Sequence, residues 1–162
     1  MPLTSAQDTT LKNDILADPV LGQLASSSDA IDKIIAAYKA TATPNYTVWR
    51  NNVSQDEIMQ NGFDWTRVDN LSVGKARIWE WLFNNQSRSF NPSKLNVRAG
   101  IDATWSAAGD AAVRAAVYVH CKKLATRLEA LFATGTGTDA APGTMTVTGT
   151  LGYDQVRILM GW

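Results

Sequence analysis

The chain carries one histidine and one cysteine, and they are neighbours, His120 and Cys121. A cysteine beside a histidine suggests an activated nucleophile, because imidazole can accept the thiol proton. The surrounding "AAVRAAVYVHCKKLATRLEALF" reads as helix, however, and adjacent helical residues diverge by about 100°. The two side chains cannot face each other, so the spacing predicts a small core cysteine with a histidine on its flank. One His and one Cys also cannot supply an ordinary four-ligand zinc site. The adjacent acids Asp56 and Glu57 lie near a predicted helix start, where they favour the helix dipole rather than acid–base work. "GTGTDAAPG" (135–143) contains a G-x-G, but it follows a helix and lacks the third glycine of a dinucleotide loop. No catalytic, cofactor-binding or metal-ligating residue is expected.

The length, 162 residues, suits one domain with an appendage and is enough to bury a core without staples. Lysine plus arginine equals aspartate plus glutamate, 15 each, so the formal net charge is zero. That balance argues against a general electrostatic grip on nucleic acid or an anionic membrane. A lone cysteine excludes an intrachain disulfide and fits a reducing compartment. No apolar run approaches the roughly 18 residues of a membrane span. "MPLTSAQDTT" lacks the basic-then-apolar order of a signal peptide.

The elements that would position side chains are mostly helical. "SAQDTTLKNDILADP" predicts a helix capped at Ser5, with Asp8 in its first turn, a stripe of Leu11, Ile15 and Leu16, and Pro19 beyond its end. "SSSDAIDKIIAAYKA" predicts a second, capped at Ser28, with Ile31, Ile34, Ile35 and Tyr38 on one face. "TATPNYTVW" reads as an extended connector broken at Pro44. "SQDEIMQNG" reads as a short capped turn of helix closed by Gly62.

"TRVDNLSVGKARIWEWLFNN" predicts a continuous helix, with Thr66 and Asp69 as a capping pair and Val68, Leu71, Ile78, Trp79, Leu82 and Phe83 on its inner stripe. Trp81 lies about 200° from Trp79, near Arg77, and needs a second covering layer from another helix or another subunit. "NPSKLNVRAGIDATW" predicts a short helix after Pro92. The longest helix is expected from about Asp110 to Ala133, with Val113, Val117, Cys121, Leu124, Leu128, Leu131 and Phe132 inward. Arg114, Lys122, Lys123 and Arg127 spread around this helix. That spread reads as a solvated surface, with inter-subunit or nucleic-acid contact as the sharper option.

Beyond Thr134 the pattern changes. "TMTVTGTL" alternates, with Thr144, Thr146, Thr148 and Thr150 on one side and Met145, Val147 and Leu151 on the other, the period of a strand. A single strand cannot satisfy its own backbone. Two outcomes are open: the segment folds back into its own core, or it is an arm that adds a strand to a neighbour. The favoured expectation is the arm. The fold class expected is mainly α, a helical bundle with a C-terminal extended arm containing a short β-strand. The domains are then 1–133, helical, and 134–162, linker plus arm.

Several stretches resemble a family of small structural proteins of tailed bacteriophages, head–tail adaptors or head-completion proteins near the portal. They are "LTSAQDTTLKNDILADP", "YTVWRNNVSQDEI", "NPSKLNVRAGI" and "LATRLEALFATGTGT…GTLGYDQV", together touching most of the chain. The resemblance implies a virion protein without enzymatic activity, made in the host bacterial cytoplasm. It implies a homo-oligomeric ring, dodecameric like a portal, with a downstream neck or tail protein as a further partner. DNA would pass through the lumen without sequence readout. The arm gripping the portal would be Met145, Val147, Leu151, Tyr153, Val156, Ile158, Leu159, Met160 and Trp162. Arg77, Trp81, Arg114, Lys122 and Arg127 would meet the next subunit. The extended middle and the tail strand depart from a compact adaptor bundle. They leave open a neck, tail-completion or capsid-stabilising role, or a monomeric helical binding module.

Overall fold

The computed structural model describes residues 3–60 and 63–162. Gly62, the expected stop of the "SQDEIMQNG" turn, lies outside the described residues. The chain is mainly α with short antiparallel strands, and it forms two compact units. Unit 1 joins Met1–Val48 to Leu124–Trp162, and unit 2 is the intervening Trp49–Lys123. The expected boundary at residue 133 is therefore not where the chain divides.

Unit 1 begins with α1, Ser5–Ala17, and α2, Ser28–Lys39. Each is capped one residue earlier than the sequence suggested. Thr4 and Gln7 form a reciprocal capping box on α1, and the Ser27 hydroxyl accepts from the Ala30 N–H on α2. Leu11 and Ile15 of α1 meet Ile31, Ile34 and Tyr38 of α2 in one core. After the passage through unit 2, α8 (Arg127–Leu131) adds Leu128 to this core. The last helix, α9 (Tyr153–Met160), closes it with Val156, which is fully buried.

Unit 2 holds α3 (Gln55–Met59), α4 (Trp65–Asp69), α5 (Val73–Phe83), α6 (Leu95–Thr104) and α7 (Ala111–Cys121). The strands β2 (Val53–Ser54) and β3 (Ser89–Phe90) pair antiparallel, Val53 opposite Phe90. An aromatic cluster forms the centre. The Trp79 ring stands edge-on to Trp105 and Phe83, with centroids 5.2 and 5.1 Å away. Edge-to-face packing sets the positive ring edge against the negative face. Val113, Val117 and Cys121 of α7 complete this core.

Two long helices expected from the sequence are broken. The 66–85 segment divides because Asp64 caps α4 and the Ser72 hydroxyl accepts from Lys75 N–H to start α5. The expected Thr66–Asp69 pairing does not occur. The 110–133 segment divides at β4 (Lys122–Leu124), which pairs with β1 (Thr47–Trp49). There the backbone finds other partners. Ala125 N–H donates to Tyr46 at 2.8 Å, and Arg127 N–H to Ala40 at 2.8 Å. Thr126 and Glu129 then start α8 with a capping box. Leu124, expected inside, is 51% exposed.

Candidate functional site

Cys121 sits where its spacing predicts, in a core. Cys121 is fully buried in the unit 2 core, where loss of water pushes its thiol up to about 12. A thiol held there stays protonated and unreactive at neutral pH. His120 is half-buried, and its backbone carbonyl accepts from Arg50 at 3.1 Å. Glu57 does more than favour a dipole. It caps Ser54 at the start of α3 and accepts from Arg50 at 2.6 Å, and the Ser54 N–H first, then Arg50, hold its carboxyl below the usual range. Among the described residues, no group of three or more His, Cys, Asp or Glu is placed to hold a metal ion.

The segment expected to be an arm is packed into unit 1. Met145, Val147, Leu151 and Val156 are all buried there. Leu159, Met160 and Trp162 lie partly buried against the same core. Only Tyr153, 43% exposed, and Ile158, 71% exposed, remain outward. The strand expected over 144–151 shrinks to β6 (Thr144–Met145), paired with β5 (Ala133–Thr134) of the same unit. The backbone thus finds its partner within the chain, which corrects the free-arm reading.

Nor is 135–143 a loose linker. It wraps the Tyr46 ring. Gly137 has φ +69, and a Cβ there would lie 2.3 Å from the ring; one on Gly143 would lie 2.6 Å away. The Tyr46 hydroxyl donates to the Gly135 carbonyl at 2.7 Å, and Thr47 N–H donates to Gly137 at 2.7 Å. The glycines are there because an aromatic ring occupies the space of their missing side chains.

The basic candidates separate into engaged and outward groups. Arg127 is engaged. It donates to Asp18 at 2.6 Å and Asp14 at 2.9 Å, and its guanidinium lies 4.6 Å from the Tyr38 ring centre. The Tyr38 hydroxyl donates to Asp14 as well. This clasp borders a cleft of about 620 Å³ that Tyr46 and Pro44 also line. Its polar groups satisfy one another, so it fastens α8 to α1 and is withdrawn from the inter-subunit set. Arg114 donates to the Trp105 carbonyl at 3.3 Å, and Asp102 is 4.0 Å away. Lys122 is half-buried in β4.

Arg77 and Trp81 are different. Val73, Arg77 and Trp81 stand four residues apart on α5 and share one side of it. Val73 is 78% and Trp81 69% exposed, while Trp79 is 6% exposed in the core. The expected divergence of the two tryptophans is present, and no described residue covers the second. Beside Trp81 opens a cleft of about 510 Å³, walled by Met59, Val68, Trp79 and Phe83 with Glu80 and Arg88 among its polar groups. Arg77 and Glu80 make no ion pair among the described residues.

The zero net charge conceals a division. Unit 2 carries ten lysines and arginines against seven aspartates and glutamates; unit 1 carries five against eight. The formal charges are +3 and −3. Whole-chain composition could not reveal this, because the acidic unit is assembled from both ends of the sequence.

Compared with protein-family models, characterised proteins and solved structures, the chain matches none.

Proposed function

We propose that this protein is a structural component of a tailed-bacteriophage virion, at the junction of head and tail. In this reading copies form a ring of twelve, like a portal, that binds the portal and a downstream neck or tail protein. DNA passes through its lumen without sequence readout. The role is architectural rather than catalytic. The observation that carries the reading is the uncovered α5 face, where Trp81 is 69% exposed beside Val73 at 78%. Aromatic anchors next to a cleft are the usual energetic centre of a protein–protein contact. The resemblance of the four sequence stretches to phage structural proteins supplies the setting. The portal contact no longer rests on a free strand, since the tail is packed within unit 1.

The packed tail favours a second reading, a monomeric helical binding module. One experiment separates the two. The full chain is mixed with the portal of the same phage, and complexes are sized by light scattering and imaged by electron microscopy. A ring of this chain seated on the portal supports the connector. A monomer that ignores the portal supports the module and removes the connector.

A further inference from the structure

Among the exposed apolar side chains of the two units, two sets lie beside charged groups of opposite pattern, one on each unit. On unit 2 it is the α5 face with Val73, Arg77 and Trp81, continued by the cleft that holds Glu80 and Arg88. On unit 1 it is the outer side of α9, where Ile158 is 71% exposed one turn beyond Asp154. We propose that these are the two halves of one contact between successive copies of this chain, with α9 of one copy laid on the α5 face and cleft of the next. The inference deepens the connector reading and rests on it for its setting in the virion.

Charge argues for a second copy as the occupant. A unit of −3 attracts a unit of +3, and copies of one chain present both. The local pattern repeats the same sense. Asp154 can meet Arg77 or Arg88, and Arg157 can meet Glu80. Asp154 and Arg157 now pair with each other at 3.5 Å, with side chains 82% and 49% exposed. Such a solvated pair holds weakly and is free to exchange partners. Apolar matching completes the fit. Ile158 is a compact aliphatic anchor, and the cleft offers Met59, Val68 and the two tryptophan rings to receive it. Because the two surfaces differ, the contact is heterologous. Each copy offers one of each, so contacts propagate from copy to copy, into a ring where the rotation closes and a filament where it does not.

A heterologous contact has a test that a two-fold contact fails. Trp81→Asp removes the receiving face and leaves α9 intact; Ile158→Asp does the reverse. Both residues are exposed, and circular dichroism checks that each variant folds. If Ile158→Asp does not fold, Asp154→Lys takes its place. Light scattering and sedimentation follow the wild type, each variant and the equimolar mixture, up to about millimolar concentration, the weak end of protein association.

The wild type is expected to grow in mass with concentration, and less so at high salt. Each variant alone associates about 30-fold more weakly or worse, the size of a lost hot spot. The mixture forms a one-to-one pair and nothing larger, because each partner retains the half the other lacks. A monomeric wild type, a mixture that never pairs, or variants that assemble like the wild type would each overturn the proposal. So would a wild type that stays monomeric and binds a short DNA duplex through Arg77 and Arg88, which would assign the basic unit to nucleic acid. The two readings fail separately. A ring on the portal without pairing of the variants sinks only this contact. Pairing without portal binding sinks only the connector.

Discussion

Gly137 and Gly149 share a backbone that side chains avoid, φ +69 and +105, but only Gly137 faces a ring. An alanine at 149 meets nothing within 4 Å, so it brings only the backbone strain, on the order of 1 kcal/mol. An alanine at 137 adds a collision with Tyr46, for a loss of about 2–4 kcal/mol. Urea titration of both variants measures the difference; equal losses would mean that the ring does not hold the loop. Cys121 makes a chemical prediction. With its thiol pushed up to about 12 and no exposure, it should resist a thiol reagent in the native protein and react once urea unfolds unit 2. Rapid native labelling would contradict the core position. Asp18 makes a pH prediction. The N–H of Leu21, then Arg127 and the N–H of Val20, hold its carboxyl down at about 2. A carboxyl lowered on folding contributes stability above its unfolded value, near 3.9, and loses it as pH falls toward 2. Melting temperature from pH 5 to pH 2 should fall more steeply for the wild type than for Asp18→Asn. The core place of Cys121 is visible from its spacing, but the roles of Gly137 and Asp18 are not, because Tyr46 lies about 90 residues from the glycine loop and Asp18 about 110 from Arg127.

Helices were legible as stretches and misread at their joints. The 110–133 stripe is regular enough to predict one helix, yet Val113, Val117 and Cys121 face one core and Leu128 another. The clue was present in Thr126-Arg-Leu-Glu129, a capping box in the middle of the supposed helix. It lost to a periodicity that two separate helices happened to share. Thr126→Ala should cost about 1 kcal/mol in urea unfolding, the worth of a cap, whereas a residue inside a continuous helix would gain from alanine. The tail shows the opposite balance. Its alternation correctly placed Met145 and Val147 inward and Thr146 and Thr148 outward, although only Thr144–Met145 pair as strand. On α5 the divergence of Trp79 and Trp81 was legible, because a 200° turn leaves no single layer able to bury both, but the covering layer expected over Trp81 is not supplied by any described residue.

For the whole molecule, composition supplied a true sum and a false picture. Zero net charge is the total of two opposed units, and only the path of the chain reveals them. The same path yields a prediction about the tail. Ending the chain at Thr134 removes Val147, Leu151 and Val156 from the unit 1 core, each worth about 1.5–3 kcal/mol of burial. The total rivals the stability of an ordinary domain. Circular dichroism of the truncated chain should lose the signal of α1 and α2. Tryptophan emission should stay native, since five of the six tryptophans belong to unit 2. Intact helix signal would show that the tail is an accessory after all. One more consequence follows from a unit built of both chain ends. On the ribosome, α1 and α2 emerge first, but Val156, which closes their core, emerges more than a hundred residues later. At typical elongation rates that interval is on the order of ten seconds. Unit 2 can complete itself in the meantime, so the first helices to be made are the last to be sheltered, and nascent α1 and α2 are the segments of this protein a chaperone would hold.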